Sequence, residues 1–170
     1  CKVQLVRNCK RIKKYSEFYS QLEKEITNHL THNKIIVVYD LHSYNYRRNG
    51  ASQPPESDAL NPEINLGTGT LNRERWAPIV DRFIDETKKY NFMGRSLDIR
   101  ENIKFRGGHF PRWIHENFPN NVCSLSIEFR KFFMDEWTGE PYLEVINEIK
   151  NLLQYTTLGV LEEINKMNNK

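Results

Sequence analysis

The sequence predicts an α/β protein in which helices cover both faces of a central sheet. Residues 35–40 form a short apolar run rich in β-branched residues, which is typical of a buried strand, and near-alternating apolar residues over 122–129 indicate a second strand. Segments with apolar residues at helical spacing come before, between and after them. Because helices and strands alternate along the chain, we expect a three-layer α/β arrangement.

Length, composition and charge restrict the class of protein. The chain has 170 residues, of which 38% are hydrophobic, so we expect one domain over residues 1–170 with a buried core. The net charge of +3 is too small to indicate a nucleic-acid partner by itself. Much of the basic excess lies in residues 2–14, and such an arm is usually solvated, so we expect no nucleic-acid binding.

The sequence also favours a cytoplasmic protein without a membrane partner. No apolar run approaches the roughly 18 residues of a membrane span, and the basic start lacks the apolar segment of a secretory signal. The three cysteines, Cys1, Cys9 and Cys123, show no C-x-x-C spacing, which fits a reducing compartment. We expect Cys123, in an apolar segment, to be an inert buried thiol.

The first elements follow from apolar spacing. A short strand is possible at residues 3–6, and apolar residues at helical spacing predict a helix over 15–31. The run at 35–40 predicts a strand buried on both faces. Glycines and prolines then predict a long loop over 43–70, a length typical of functional loops.

The middle of the chain predicts two helices and a short strand. Apolar spacing indicates a helix over 72–90, with Asn72 as its N-cap and Pro78 either in the first turn or at a kink. A short strand is expected within 97–103, and a short helix within 113–118.

The last two elements are a strand and a long helix. Apolar residues nearly alternate over 122–129, as in a strand with two different faces. Pro141 suits the first turn of a helix, and apolar residues recur at helical spacing from Leu143 to Ile164. We expect this helix to break near Gly159.

Polar side chains at the ends of the two predicted core strands indicate a site. His42 follows the first strand and Glu128 ends the second. Neighbouring strands lie about 4.8 Å apart, so the two side chains can share one cavity. A histidine that binds a metal and a carboxylate that takes a proton from water would suit this pair. Asp40 could accept the other ring N–H of His42.

The residues alone leave simpler alternatives open. His42 can cap a strand end through hydrogen bonds without binding a metal. Glu128 can form an ion pair with Arg130 or Lys131, an interaction worth under about 1 kcal/mol on a surface.

Four segments then occur in order: DLHSYN (40–45), INLGT (64–68), KFRGGHFPRW (104–113) and LSIEFRKFFMDE (125–136). Together they resemble the N-formylglutamate amidohydrolase family, metal-dependent hydrolases of linear amides that are similar to zinc carboxypeptidases and aspartoacylases. The resemblance implies a three-layer α/β/α sandwich with a mixed, mainly parallel sheet. It also implies a small N-acyl amino acid substrate, with N-formylglutamate giving formate and glutamate.

The resemblance implies a role for each matching residue. His42 matches a zinc-binding histidine, and Glu128 matches the general base that takes a proton from water and passes it to the leaving amine. Arginines pair with carboxylates through two parallel hydrogen bonds, so they are the candidates for holding the substrate. These candidates are Arg112 first, then Arg106, Arg47 and Arg130.

One feature of the family pattern is missing. Related zinc hydrolases supply a histidine and a glutamate from an earlier H-x-x-E segment, and none of the five histidines here is followed by Glu at the third position. We therefore expect the C-terminal portion of an amidohydrolase domain that lacks the N-terminal strands, with the other metal ligands upstream. The alternative is a catalytically inactive α/β domain that binds a ligand or a partner. The sequence leaves the oligomeric state open.

Overall fold

The computed structural model describes residues 2–169, with side chains described from residue 11 onward. The predictions for Cys1, Cys9 and most of the basic arm therefore concern side chains outside the described residues. Two compact units divide the chain, the first ending at Ile36 and the second beginning at Val37. The first unit consists mainly of helix α1 (Lys2–Leu30). The expectation of a strand at residues 3–6 is wrong, because these residues belong to α1. An apolar pattern of four residues does not distinguish a strand from a turn of helix.

The second unit contains a mixed sheet in the order β1-β4-β2-β3. β2 and β3 are parallel, whereas β2 and β4 are antiparallel, with Asn65 opposite Glu128. Ser126 contacts Asp40, and the Lys131 N–H donates to the Tyr44 carbonyl, so residue numbers rise together along β1 and β4. Those two strands therefore run in the same direction, and the expected mixed, mainly parallel sheet is confirmed. The strands are β1 (Ile36–Tyr44), β2 (Ile64–Gly67), β3 (Ile99–Glu101) and β4 (Val122–Arg130).

Two strand predictions need correction. β2 lies within the segment predicted to be a loop, yet it is fully buried between β3 and β4. Its four residues include an asparagine and a glycine, which hide the strand pattern. β1 continues to Tyr44 and lies at an edge of the sheet in the second unit, where Leu41 is 52% exposed. The expectation of burial on both faces is therefore wrong for this strand.

Helices cover both faces of the sheet in the second unit, which confirms the three-layer arrangement. On one face, Tyr39 packs its ring 5.3 Å from the ring of Phe83 in α2 (Ala77–Lys89). The Tyr39 hydroxyl lies 3.2 Å from the hydroxyl of Thr156 in α4 (Leu143–Asn168). On the other face, the N–H of Ser124 donates to His115 in α3 (His109–Asn117).

Helix α4 is unbroken at Gly159, contrary to expectation. The glycine is buried where α4 meets α2, and a Cβ there would lie 2.6 Å from Arg82 Nε and 2.7 Å from Glu86 Cγ. The glycine therefore serves close packing of two helices. Pro78 lies in the first turn of α2, which was one of the two positions expected for it. The predicted cap at Asn72 is wrong, because the helix begins at Ala77 with Trp76 as its N-cap.

Two smaller expectations concern Cys123 and membranes. Cys123 is a buried free thiol, as predicted, and burial raises its pKa to about 12, so it stays protonated. Within residues 2–169, each helix is too short or too polar to cross a membrane.

Candidate functional site

The carboxyl ends of β1 and β4 bring the predicted histidine and glutamate to one rim of the sheet. His42 Nε2 lies 2.8 Å from Asp40 Oδ1, so the ring N–H donates to that carboxylate. The second oxygen of Asp40 accepts a hydrogen bond of 3.4 Å from Ser126. Because side chains alternate along a strand, Ser126 and Glu128 lie on one face of β4, the face that Asp40 and His42 share. The structure thus places the three predicted site residues in one cluster.

Glu128 has an environment suited to proton transfer. Its pKa lies above the ordinary value, chiefly because burial disfavours the carboxylate. The electrostatic effect of His42 lowers this pKa and the negative charge of Asp40 raises it, so both residues act on Glu128. A carboxylate with a raised pKa takes up a proton more readily near neutral pH, as a general base must.

Asn65 is a neighbour of Glu128 that the sequence analysis missed. It is fully buried and lies opposite Glu128 in the pairing of β2 with β4. Its amide donates to the Phe105 carbonyl at 2.8 Å, and its oxygen accepts from the Lys104 N–H at 2.8 Å. Asn65 therefore attaches the KFRGG segment (residues 104–108) to the face of the sheet that carries His42 and Glu128. A polar residue inside the short apolar INLG strand was the signal for this role.

A cleft of about 490 Å³ opens beside the carboxyl end of β1. We call it the Arg47–Trp137 cleft. Its floor and walls come from the end of β1, the following loop, the KFRGG segment and the turn after β4. The lining residues are Ser43, Tyr44, Asn45, Arg47, Arg48, Phe105, Glu136 and Trp137.

The candidate arginines differ in their surroundings. Arg47 lines the cleft. Arg130 donates to the carboxylate of Asp58 and, at 2.9 Å, to the Asn61 carbonyl, and its guanidinium stacks 4.5 Å from the ring centroid of Tyr46. Its Nη1 group is thus bound within the protein itself, and the role of Arg130 as a substrate ligand stays a prediction.

The other two arginine candidates lie outside the cleft lining. Arg112 is exposed on α3, where its backbone N–H donates to the Gly108 carbonyl at 3.4 Å. Arg106 is exposed, and its carbonyl accepts from the N–H of Gly69 at 2.7 Å. Their roles as substrate ligands stay predictions.

The described side chains fit only part of a zinc site. His42 is oriented by Asp40 through one ring nitrogen, an arrangement typical of metal-binding histidines, in which the other nitrogen binds the ion. A catalytic zinc ion, however, needs about three protein ligands. Among the side chains described over residues 11–169, no three His, Cys, Asp or Glu residues form a group that could hold a metal ion. The residues present therefore do not complete a zinc site.

Comparisons with known proteins agree on one family. The family model for N-formylglutamate amidohydrolase matches residues 8–134. The crystal structure of N-formylglutamate amidohydrolase from Ralstonia eutropha JMP134 has a similar fold, with a TM-score of 0.59 and 19% sequence identity. The match covers 91% of this chain and 51% of that one, so the chain spans about half the length of the bacterial protein. No protein with curated annotation matches the sequence.

Proposed function

Because this chain belongs to the N-formylglutamate amidohydrolase family, we propose that the whole protein hydrolyses the amide bond of a small, acidic N-acyl amino acid. N-formylglutamate, which would give formate and glutamate, is the substrate to test first. One observation carries the proposal: Glu128, with its raised pKa, lies at the same sheet rim as the His42–Asp40 pair.

Glu128 supplies the proton chemistry in this proposal. Its carboxylate takes a proton from the attacking water as the C–O bond forms at the amide carbon. The protonated carboxyl then gives that proton to the amine nitrogen as the C–N bond breaks, so one side chain serves as base and then acid. Burial favours this cycle because it brings the two protonation states of the carboxyl closer in free energy.

A divalent metal, with zinc as the first candidate, is part of the proposal for the whole protein. His42 would provide one ligand, held in orientation by Asp40. A complete set requires further side chains from outside the described residues. Metal analysis of the whole protein, with and without His42→Ala, tests this part separately from the hydrolysis.

The decisive experiment measures formate release from N-formylglutamate by the whole protein. Glu128→Gln keeps the size of the side chain but removes its basicity, so kcat should fall by about 100-fold or more while KM changes little. Glu116→Gln, at an exposed position of α3, is the matched control and should keep full activity. If Glu128→Gln remains as active as the control, Glu128 is not the base.

One observation favours a second candidate function, a non-catalytic domain that binds a ligand or a partner. It is the incomplete metal-ligand set among the side chains described over residues 11–169. This candidate predicts that the whole protein releases no formate and that a chelator leaves its melting temperature unchanged. A fold held by a metal would instead lose stability in the chelator.

A further inference from the structure

Two buried serines on β4, Ser124 and Ser126, differ in what their hydroxyl groups contact. Both side chains are fully buried, and because they lie two residues apart they share one face of the sheet. The Ser126 hydroxyl donates to Asp40 Oδ2 at 3.4 Å. Among the side chains that the structure describes, none bonds to the hydroxyl of Ser124. A buried hydroxyl costs free energy unless it is hydrogen-bonded, so the contact with Asp40 distinguishes Ser126 from its neighbour.

The Asp40 carboxylate accepts a hydrogen bond on each of its oxygen atoms. Oδ1 lies 2.8 Å from His42 Nε2 on the same strand, and Oδ2 accepts from Ser126 on the neighbouring strand β4. The torsion that turns a carboxylate about its bond to Cβ has no sharply preferred value. A carboxylate bonded to His42 alone could therefore turn, whereas a second bond from β4 fixes its plane.

The exposure of the two residues on β1 shows why this second bond matters. The His42 side chain is 50% exposed, whereas the Asp40 side chain is only 11% exposed. Because packing constrains only part of the His42 ring, its hydrogen bond to Asp40 sets its orientation. Ser126 and Glu128 belong to one strand, and Asp40 and His42 belong to the next. The bond between Ser126 and Asp40 thus connects the strand of the proposed base to the strand of the histidine.

We propose that Ser126 is a positioning residue, which holds the Asp40 carboxylate and, through it, the ring of His42 in a fixed position relative to Glu128. This inference rests on the proposed function, because it assigns Ser126 to the same reaction as Glu128. The effect of Ser126 also extends to Glu128, since the negative charge of Asp40 raises the pKa of that carboxyl. Loss of the Ser126 hydroxyl would therefore change the surroundings of His42 and of Glu128 together.

The ring N–H of His42 reports the position of Asp40 without any need for catalysis. Its exchange with water is measured by NMR at one pH in the 170-residue chain with ¹⁵N-labelled histidine, and His42→Gln identifies the signal. This N–H should exchange more slowly than that of the exposed His29, because it donates to a carboxylate. Ser126→Ala should accelerate the exchange by about fivefold, the effect of one hydrogen bond of ordinary strength.

Three further variants separate the hydroxyl group from the shape of the side chain. Ser124→Ala removes the neighbouring hydroxyl, which has no partner among the described side chains, and should leave the exchange rate of the His42 N–H unchanged. Ser126→Thr and Ser126→Val introduce side chains of similar branched shape, of which only threonine keeps the hydroxyl. The valine variant should therefore exchange about fivefold faster than the threonine variant. Equal rates in these two variants, or a wild-type rate equal to that of His29, would overturn the proposal.

Formate release by the whole protein distinguishes failure of this proposal from failure of the hydrolase function. Ser126→Ala should lower kcat for N-formylglutamate by about fivefold with little change in KM, and Ser124→Ala should change neither. If the His42 N–H responds to Ser126→Ala as expected but the wild type releases no formate, Ser126 positions the His42–Asp40 pair and the hydrolase function fails. If the wild type and Ser126→Ala release formate with equal kcat, the function stands and the assignment of Ser126 fails.

Discussion

Asn65 allows a sharp test of how the site is held together. Its side chain is fully buried, and two hydrogen bonds of 2.8 Å connect it to the backbone of Lys104 and Phe105. Replacing it with alanine removes both bonds, together with a longer one of 3.4 Å that the Phe105 N–H donates to the Asn65 oxygen. Two backbone N–H groups and a carbonyl are then left without these partners. The KFRGG segment would then lose its attachment to β2, next to Glu128.

The expected loss of stability follows from these contacts. Each hydrogen bond contributes about 1 kcal/mol net, and a buried group left unpaired costs about 1–3 kcal/mol. Because the segment is only partly buried, water can satisfy some of the freed groups, and we expect a total loss of about 2–3 kcal/mol. For a protein of this size, that loss corresponds to a decrease of roughly 5–10 °C in melting temperature.

Thermal and urea unfolding of three variants provide the assay. Asn65→Leu keeps the branched heavy-atom skeleton of the side chain and leaves no empty cavity, so it separates the effect of lost hydrogen bonds from that of a cavity. Both Asn65→Ala and Asn65→Leu should be destabilised, whereas Asn147→Ala, at an exposed position of α4, should change stability by less than about 0.5 kcal/mol. If Asn65→Leu is as stable as the wild type, the hydrogen bonds do not hold the segment.

Two further predictions concern the core. Burial lowers the pKa of His115 to about 4, so only the unfolded state gains this proton between about pH 6.5 and 4, and stability should fall by up to about 1.4 kcal/mol per pH unit in that range. His115→Gln should remove this part of the pH dependence in urea unfolding, and an unchanged slope would refute the assignment. Gly159→Val should destabilise the protein by about 2 kcal/mol, because its side chain would push Arg82 and Glu86 away from α4. A variant that melts at the wild-type temperature would show that α2 and α4 have room to separate.

The sequence predicted the parts of the site that follow long apolar runs. His42 and Glu128 were identifiable because each is a polar residue at the end of a largely apolar strand pattern. The sequence analysis did not identify Asn65 because β2 is short and contains a polar residue and a glycine. Its burial depends on strands that are distant in sequence, since β3 and β4 pair with it from both sides.

The arginines show a second limit of sequence reasoning. Arg47 and Arg130 are equivalent candidates by residue type, yet Arg130 binds Asp58 and Asn61 while Arg47 lines the cleft. Which guanidinium has an internal acidic partner depends on how the loops pack around the sheet. The same reason explains why the edge position of β1 was not predicted, since its apolar run is compatible with an edge or a central strand.

The most direct test of the shared site is an NMR titration of the Glu128 carboxyl carbon in the 170-residue chain. We predict a pKa above the ordinary value for glutamate, because the side chain is partly buried. Asp40→Asn removes a negative charge and should lower this pKa, whereas His42→Gln removes the lowering effect of His42 and should raise it. A Glu128 that titrates like an exposed glutamate and responds to neither substitution would contradict the placement of the three residues in one site.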